Sequence, residues 1–177
     1  MAGSLIKIDE EIVTSAVASV TLGGTDWDSS YDVYMVRFNN VVPDTDTQTL
    51  FTRPTISGTM DANGNKDYAY KIMRAGASFQ NTAVTNSGYI EVSFILGTGT
   101  SSQEMGNGVL YLFNFNNASE YKFLTLEESN LRHTGELTGN QGGAVFKNNS
   151  SACDGIGFFF ASGNIASGTF TLYGLKK

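Results

Sequence analysis

Apolar and polar residues alternate along most of this chain, and the alternation breaks every ten to twenty residues at clusters of Gly, Asn, Asp and Ser. A period of two puts successive side chains on opposite faces, which is the mark of a half-buried strand. The segment Asp32–Phe38 is the first clear run. Segment 47–57 follows, with Leu50 and Ile56 on one side and Pro54 between them. A proline has no amide hydrogen for a ladder, so Pro54 predicts an edge position or a bulge. In 67–74, Tyr68, Tyr70 and Ile72 face one way and Ala69, Lys71 and Met73 the other. In 89–96, Ile90, Val92, Phe94 and Leu96 share a face opposite Glu91 and Ser93.

The second half predicts two hairpins of similar design. Val109–Phe115 turns through Asn116-Asn117-Ala118-Ser119 into 121–126, and Ile156–Phe160 turns through 162–168 into 169–175. Phe158-Phe159-Phe160 puts aromatics on both faces of one strand, which predicts cover on both sides. Two segments compete for helix. Asp9-Glu10-Glu11 opens like a helix N-terminus, with Ile12, Ala16 and Val20 four apart. Ala16, Ala18, Val20 and Leu22 also alternate, so 14–22 is assigned as strand and 9–13 as turn. Leu126–Arg132 has room for one helical turn. Many short strands with Gly/Asn turns define an all-β chain: an antiparallel β-sandwich, jelly-roll-like, of about nine to eleven strands.

Composition agrees with that class. Hydrophobic residues are 41% of the 177, Gly is abundant at 20 residues and Pro scarce at 2. One domain of ordinary size follows, large enough to bury a core without crosslinks. We divide the chain into residues 1–13, a candidate N-terminal docking segment, and a single sandwich domain over 14–177. The docking candidates are Leu5, Ile6, Ile8 and Ile12; the alternative is that this segment is the first strand of the sandwich. Charged residues are only 16%, against a usual ~25%. A surface this poor in charge suits burial against neighbouring subunits.

Net charge is −6, with no Lys/Arg cluster to neutralise phosphates, so nucleic acid is not an expected partner. A single cysteine, Cys153, permits no internal disulfide. The first residues lack the basic start and apolar run of a signal peptide, and no stretch approaches the ~20 apolar residues of a membrane span. Synthesis in a cytoplasm is expected.

Candidate chemistry is thin. The one histidine, His133, lies in a polar stretch with no nucleophile motif, and fits a surface loop better than a triad. One His and one Cys make no zinc site. The run Asp61-Ala62-Asn63-Gly64-Asn65-Lys66-Asp67 alternates oxygen-bearing side chains like a calcium loop. Lys66 and Ile72 stand where that loop needs Gly and an acid, so a turn is the better reading. Among Glu91, Glu104, Glu120, Glu127 and Glu128 a pair could serve glycoside hydrolysis, but acids on strand faces and turns are usually only solvated. The expectation is no enzyme, no cofactor and no metal. Aromatics are 12% of the chain and most belong to a core. Trp27, between Asp26 and Asp28, is the one least explained by a strand; with Tyr31 it is the candidate for recognition, and the alternative is a plug at one end of the sandwich.

Several blocks are familiar together: Trp27-Asp28-Ser29-Ser30-Tyr31-Asp32-Val33-Tyr34 to Pro43, Leu110-Tyr111-Leu112-Phe113-Asn114, Asp154-Gly155-Ile156 to Ile165, and the ending Ser167-Gly168-Thr169-Phe170-Thr171-Leu172-Tyr173-Gly174-Leu175. In this order they resemble small virion structural proteins, of tail-fibre or decoration type, of marine podovirus-like tailed bacteriophages. The resemblance implies a non-enzymatic β-sandwich on the virion surface, made in the host cytoplasm and acting through assembly or host attachment. Its partners would be other virion proteins, further copies in a homo-oligomer, and a host cell-surface glycan or receptor. A tail-associated role is the first expectation, a capsid decoration or head-fibre protein the second, and a carbohydrate-binding or hydrolytic module the third.

Overall fold

A computed structural model describes residues 4–93 and 98–176. Its strands are β1 (Ser4–Val13), β2 (Val20–Gly23), β3 (Val33–Pro43), β4 (Leu50–Ile56), β5 (Thr59–Met60), β6 (Lys66–Arg74), β7 (Gln80–Ser87), β8 (Ile90–Glu91), β9 (Gly106–Phe113), β10 (Lys122–Leu131), β11 (Leu137–Phe146), β12 (Gly155–Phe160) and β13 (Ile165–Lys176). A 3-10 turn, Gly24–Asp26, is the only helical piece among the described residues.

The strands make two antiparallel sheets. The larger has the order β1-β13-β3-β9-β10-β11-β6-β7, and the smaller the order β2-β12-β4-β5, with β8 also on β4. They pack face to face: Phe158 on β12 meets Phe38 on β3 at 6.2 Å and Phe170 on β13 at 5.1 Å between ring centroids. Leu22, Val36, Phe38, Leu110, Leu112, Ile156 and Leu172 are fully buried between the layers. The expected antiparallel sandwich is therefore present. The strand order defines a sandwich; nothing in it singles out a jelly roll.

The cleanest alternation lies where the sequence has it. Strand β6 runs buried-exposed through Tyr68, Ala69, Tyr70, Lys71 and Ile72, and β10 does the same through nine residues. Pro54 lies in the middle of β4, yet in a local gap. On the side away from β12, β8 pairs Phe51 and Thr52 while β5 pairs Thr55 and Ile56. The Pro54 carbonyl on that side accepts only from Asp61, at 3.0 Å, so the missing amide hydrogen leaves no ladder bond broken.

Thirteen strands lie among the described residues, eleven of them longer than the two-residue pieces β5 and β8. Five expectations are corrected. Residues 9–13 are not a turn but the end of β1, and Leu126–Arg132 holds no helical turn, since β10 continues to Leu131. The strand assigned to 14–22 shrinks to Val20–Gly23; before it the chain crosses from one sheet to the other, held by a lone bridge from Val17 to Ile165. The last expected hairpin is not one. Strand β12 pairs with β2 and β4, while β13 pairs with β1 and β3, so the link between them passes from sheet to sheet. Phe158 and Phe170 meet across the core rather than side by side. Of the expected strand 89–96, only Ile90–Glu91 is paired, and residues 94–97, including Phe94 and Leu96, lie outside the described residues.

Residues 4–13 take the second of their two alternatives. They are the edge strand of the large sheet, in register with β13 from Ser4↔Lys176 to Val13↔Gly168, with a bulge between Lys7 and Asp9. The bulge residue Ile8 turns toward the core, whereas Leu5 (50%), Ile6 (41%) and Ile12 (59%) stay exposed.

Candidate functional site

Trp27 and Tyr31 are brought together at the end of the sandwich where the chain enters β3. The indole stacks on Tyr34 at 4.0 Å between centroids and leans on Phe115 at 6.2 Å, and Tyr31 meets Tyr34 edge-on at 6.1 Å. One side chain ties the group down. Asn116, in the β9–β10 turn, accepts from Trp27 Nε1 at 2.8 Å and donates through Nδ2 to the carbonyls of Ser29 (3.0 Å) and Tyr31 (2.7 Å). The Tyr34 hydroxyl donates to the Asp28 carbonyl at 2.6 Å, and burial pushes this phenol up to about 12. Tyr31 lies flat on the backbone at Gly174, where a Cβ would fall 2.4 Å from its ring. Both recognition candidates thus act as packing residues that close the end of the core, each still half-exposed. Asn116 was not singled out in the sequence; its place in an Asn-Asn turn was visible, its partner 89 residues away was not.

The calcium-like run folds as the β5–β6 turn, and its own lysine occupies the oxygen cradle. Lys66 Nζ donates to Asp61 Oδ1 (3.0 Å), Asn63 O (3.1 Å) and Asn65 Oδ1 (2.8 Å), and lies 4.7 Å from the centre of the Phe146 ring. This ammonium is fully buried and burial lowers its pKa, with Asp61 holding it up. Across Phe146 on β10, buried Lys122 similarly closes the 147–152 loop, donating to Asn148 O (2.7 Å) and Ser151 O (2.6 Å). Cys153 is buried beside them, its thiol pushed up to about 12 by burial, so it stays protonated at neutral pH. No group of three or more His, Cys, Asp or Glu residues among the described residues could hold a metal ion. His133 lies in the turn joining β10 to β11.

The five glutamates part company. Glu104 and Glu120 sit in loops, and Glu127 is on the outer face of the large sheet. Glu91 and Glu128, contrary to the expectation of solvated acids, point into the sandwich. Glu91 is 6% exposed beneath the stacked pair Tyr68 and Tyr70, and its carbonyl accepts from the Tyr70 hydroxyl. Burial raises its carboxyl to about 7, against a smaller opposing effect of the Tyr68 phenol. Glu128 is held well above the usual carboxylate range by burial, against a smaller opposing effect of the Asn140 backbone amide, and neither of its oxygens reaches full hydrogen-bond geometry. Around it Asn140 Nδ2 donates to Val92 O at 2.9 Å and Thr138 Oγ1 to Asn130 Oδ1 at 2.5 Å. The sequence signal that would have found Glu128 is the alternation of β10, in which Leu124 and Leu126 precede it on the same face.

The class these features define is an antiparallel two-sheet sandwich whose unusual side chains are tied into its own framework. No family model, curated protein or solved structure matches the chain. No helix among the described residues is long and apolar enough to cross a membrane.

Proposed function

We propose that this protein is a non-enzymatic structural component of a bacteriophage virion, tail-associated and exposed on the particle, acting in assembly or host adhesion as a homo-oligomer. The phage assignment draws on the sequence resemblance described above. One structural observation supports the non-catalytic half of the reading. Four side chains that chemistry could use are engaged in holding the fold: Trp27 with Asn116, Lys66 with Asp61, Lys122 with the 147–152 loop, and Cys153 by burial. What is left open to solvent is sheet surface, including Leu5, Ile6 and Ile12 on β1. Binding through surface is the work such an arrangement suits.

The reading places newly made chains in the host cytoplasm and finished copies on the virion surface, beside other virion proteins and facing a host glycan or receptor. Imaging of intact particles tests it directly. Copies confined to a ring at one vertex are expected. A copy on every capsomer would replace the tail role with capsid decoration, and absence from purified particles would remove the virion role altogether. A polysaccharide-cleavage assay tests the non-enzyme half; turnover abolished by Glu91→Gln or Glu127→Gln would overturn it.

A further inference from the structure

The outward face of the large sheet is not uniform, and its register shows where it changes. At one end a cross-strand row runs Leu5, Leu175, Val33, Phe113, Phe123 and Val145, ending at Asp67. Side chains in a row sit on one face of the pleat. Phe123 is 47% exposed and Leu5 50%, and the other apolar members are half-buried. The next row begins at Lys7, is large through Tyr173, Met35 and Tyr111, passes Thr125, and ends small, with Gly143, Ala69 and Ala83. Over the small half lies an open hollow of about 590 Å³, walled by Phe113, Phe123 and Val145. The third row alternates in sign across the sheet: Glu10 on β1, Arg37 on β3, Glu127 on β10 and Lys71 on β6.

We infer that this face is a dimer interface whose occupant is a second copy of the chain, stacked sheet on sheet about a two-fold axis running along β9. Such an axis reverses the strand order and sets each row against itself. Strand β3 then lies over β10 of the partner copy, β13 over β11, and β1 over β6. The charges meet as opposites, Arg37 over Glu127 and Glu10 over Lys71, each twice. Sizes are complementary as well. Tyr173 comes over Gly143, Leu175 over Val145, and Leu5 over Asp67 at the edge of the hollow, so the bulky half of one copy fills the empty half of the other. Val33 covers Phe123. A patch offered to an unrelated partner has no reason to be complementary to itself in both charge and volume.

The area suffices. Across such an axis seven strands overlap and β7 overhangs; seven strands spaced ~4.8 Å and four side-chain rows spaced ~6.8 Å make a face of roughly 900 Å², against the ~800 Å² per partner of a standard interface. Aligned packing of two sheets is a common geometry and needs no rearrangement of either. The inference stands on this sheet face alone, whether or not the chain belongs to a virion.

Sedimentation equilibrium of the full chain tests it. The wild type is expected at twice the chain mass by about 100 µM, above the micromolar end of the range for interfaces of this size. Phe123→Asp should return it to the monomer mass, with circular dichroism unchanged because the side chain points outward. Arg37→Glu and Glu127→Arg should each weaken the dimer at least about tenfold by setting like charges face to face. The two changes together should restore it, since the pair is re-formed across the axis. Arg37 and Glu127 also lie two strands apart on one face of the same chain, so thermal melting is read beside the mass: a pair within one chain would move stability and leave the single variants dimeric. A wild type that stays monomeric would overturn the proposal and leave the face to a different partner. A Phe123→Asp dimer would overturn it in favour of pairing elsewhere, as along the free edge of β1. Failure of the charge swap to rescue folded single variants would overturn the two-fold axis.

Discussion

Glu91→Gln isolates the cost of holding a carboxyl beneath Tyr68 and Tyr70. Folding moves this group from the ordinary 4.5 to about 7. Because the folded value is the higher, the native state binds the proton more tightly than the unfolded chain. Its stabilisation is fully present below pH 4.5 and is lost as pH rises through about 7. That difference corresponds to a ceiling of roughly 3.4 kcal/mol, and partial access of water and relaxation bring the expectation to about 2 kcal/mol. Glutamine has nearly the shape of the protonated acid and no proton to lose. Urea unfolding should therefore give wild type and variant similar stability near pH 4.5, and a variant about 2 kcal/mol more stable near pH 8. Glu128 slopes the same way but is common to both proteins and drops out of the difference. Asp61 and Glu136, whose carboxyls are lowered, act below the ordinary carboxylate range and so outside this window. Parallel curves across that range, with a constant offset or none, would refute the reasoning and mean that water or a cation reaches the Glu91 carboxylate.

Other outcomes follow from single contacts. Glu128→Met should raise stability by about 1–2 kcal/mol at neutral pH, because it removes a buried acid whose oxygens lack full hydrogen-bond geometry; a loss on chemical denaturation would show that the carboxyl is satisfied. Lys66→Met strands Asp61 in the β5–β6 turn and should lower stability by about 3 kcal/mol, and added calcium should not shift the melting temperature of the wild type. Asn116→Ala should cost about 2 kcal/mol and shift Trp27 fluorescence, since it frees the indole N–H and two carbonyls at once. Gly142→Ala sets a Cβ 2.2 Å from the Ala69 carbonyl in the centre of the large sheet; a loss of about 2 kcal/mol or failure to fold is expected, read by thermal melting.

The strand assignments that succeeded are those where one face meets the core and the other meets water. In β6 the signal is Tyr68, Tyr70 and Ile72 against Ala69, Lys71 and Met73, and the same contrast makes β10 unambiguous. Periodicity states which way a side chain points relative to its own strand. It is silent about which sheet receives that strand, and there the reading of 156–175 as a hairpin failed. Phe158 and Phe170 are both core residues, but a hairpin would place them as neighbours in one sheet, whereas here they oppose each other across two. The N-terminal segment was ambiguous for a related reason. An edge strand is covered on one side only, so Leu5, Ile6 and Ile12 show the apolar excess of a docking peptide while making ladder bonds to β13.

Polar residues escaped sequence reasoning when their partners were distant in the chain. In the sequence Lys66 stands where a calcium loop needs glycine and so counts against a cation site. In the fold it is the cation of that loop, and the resemblance to a calcium site has a physical basis: alternating Asp and Asn oxygens form a cradle that an ammonium fills as well as an ion does. Trp27 depends likewise on Asn116, which pairs with it only once β9 and β10 bring their turn to the start of β3. The same dependence explains the outer face of the large sheet. Phe113, Phe123 and Val145 occur on three different strands, each a single apolar residue at an outward position and unremarkable alone. Only the register makes them a row, and only the strand order sets the alternating charges of Glu10, Arg37, Glu127 and Lys71 beside it. A surface assembled in that way leaves no motif in the sequence.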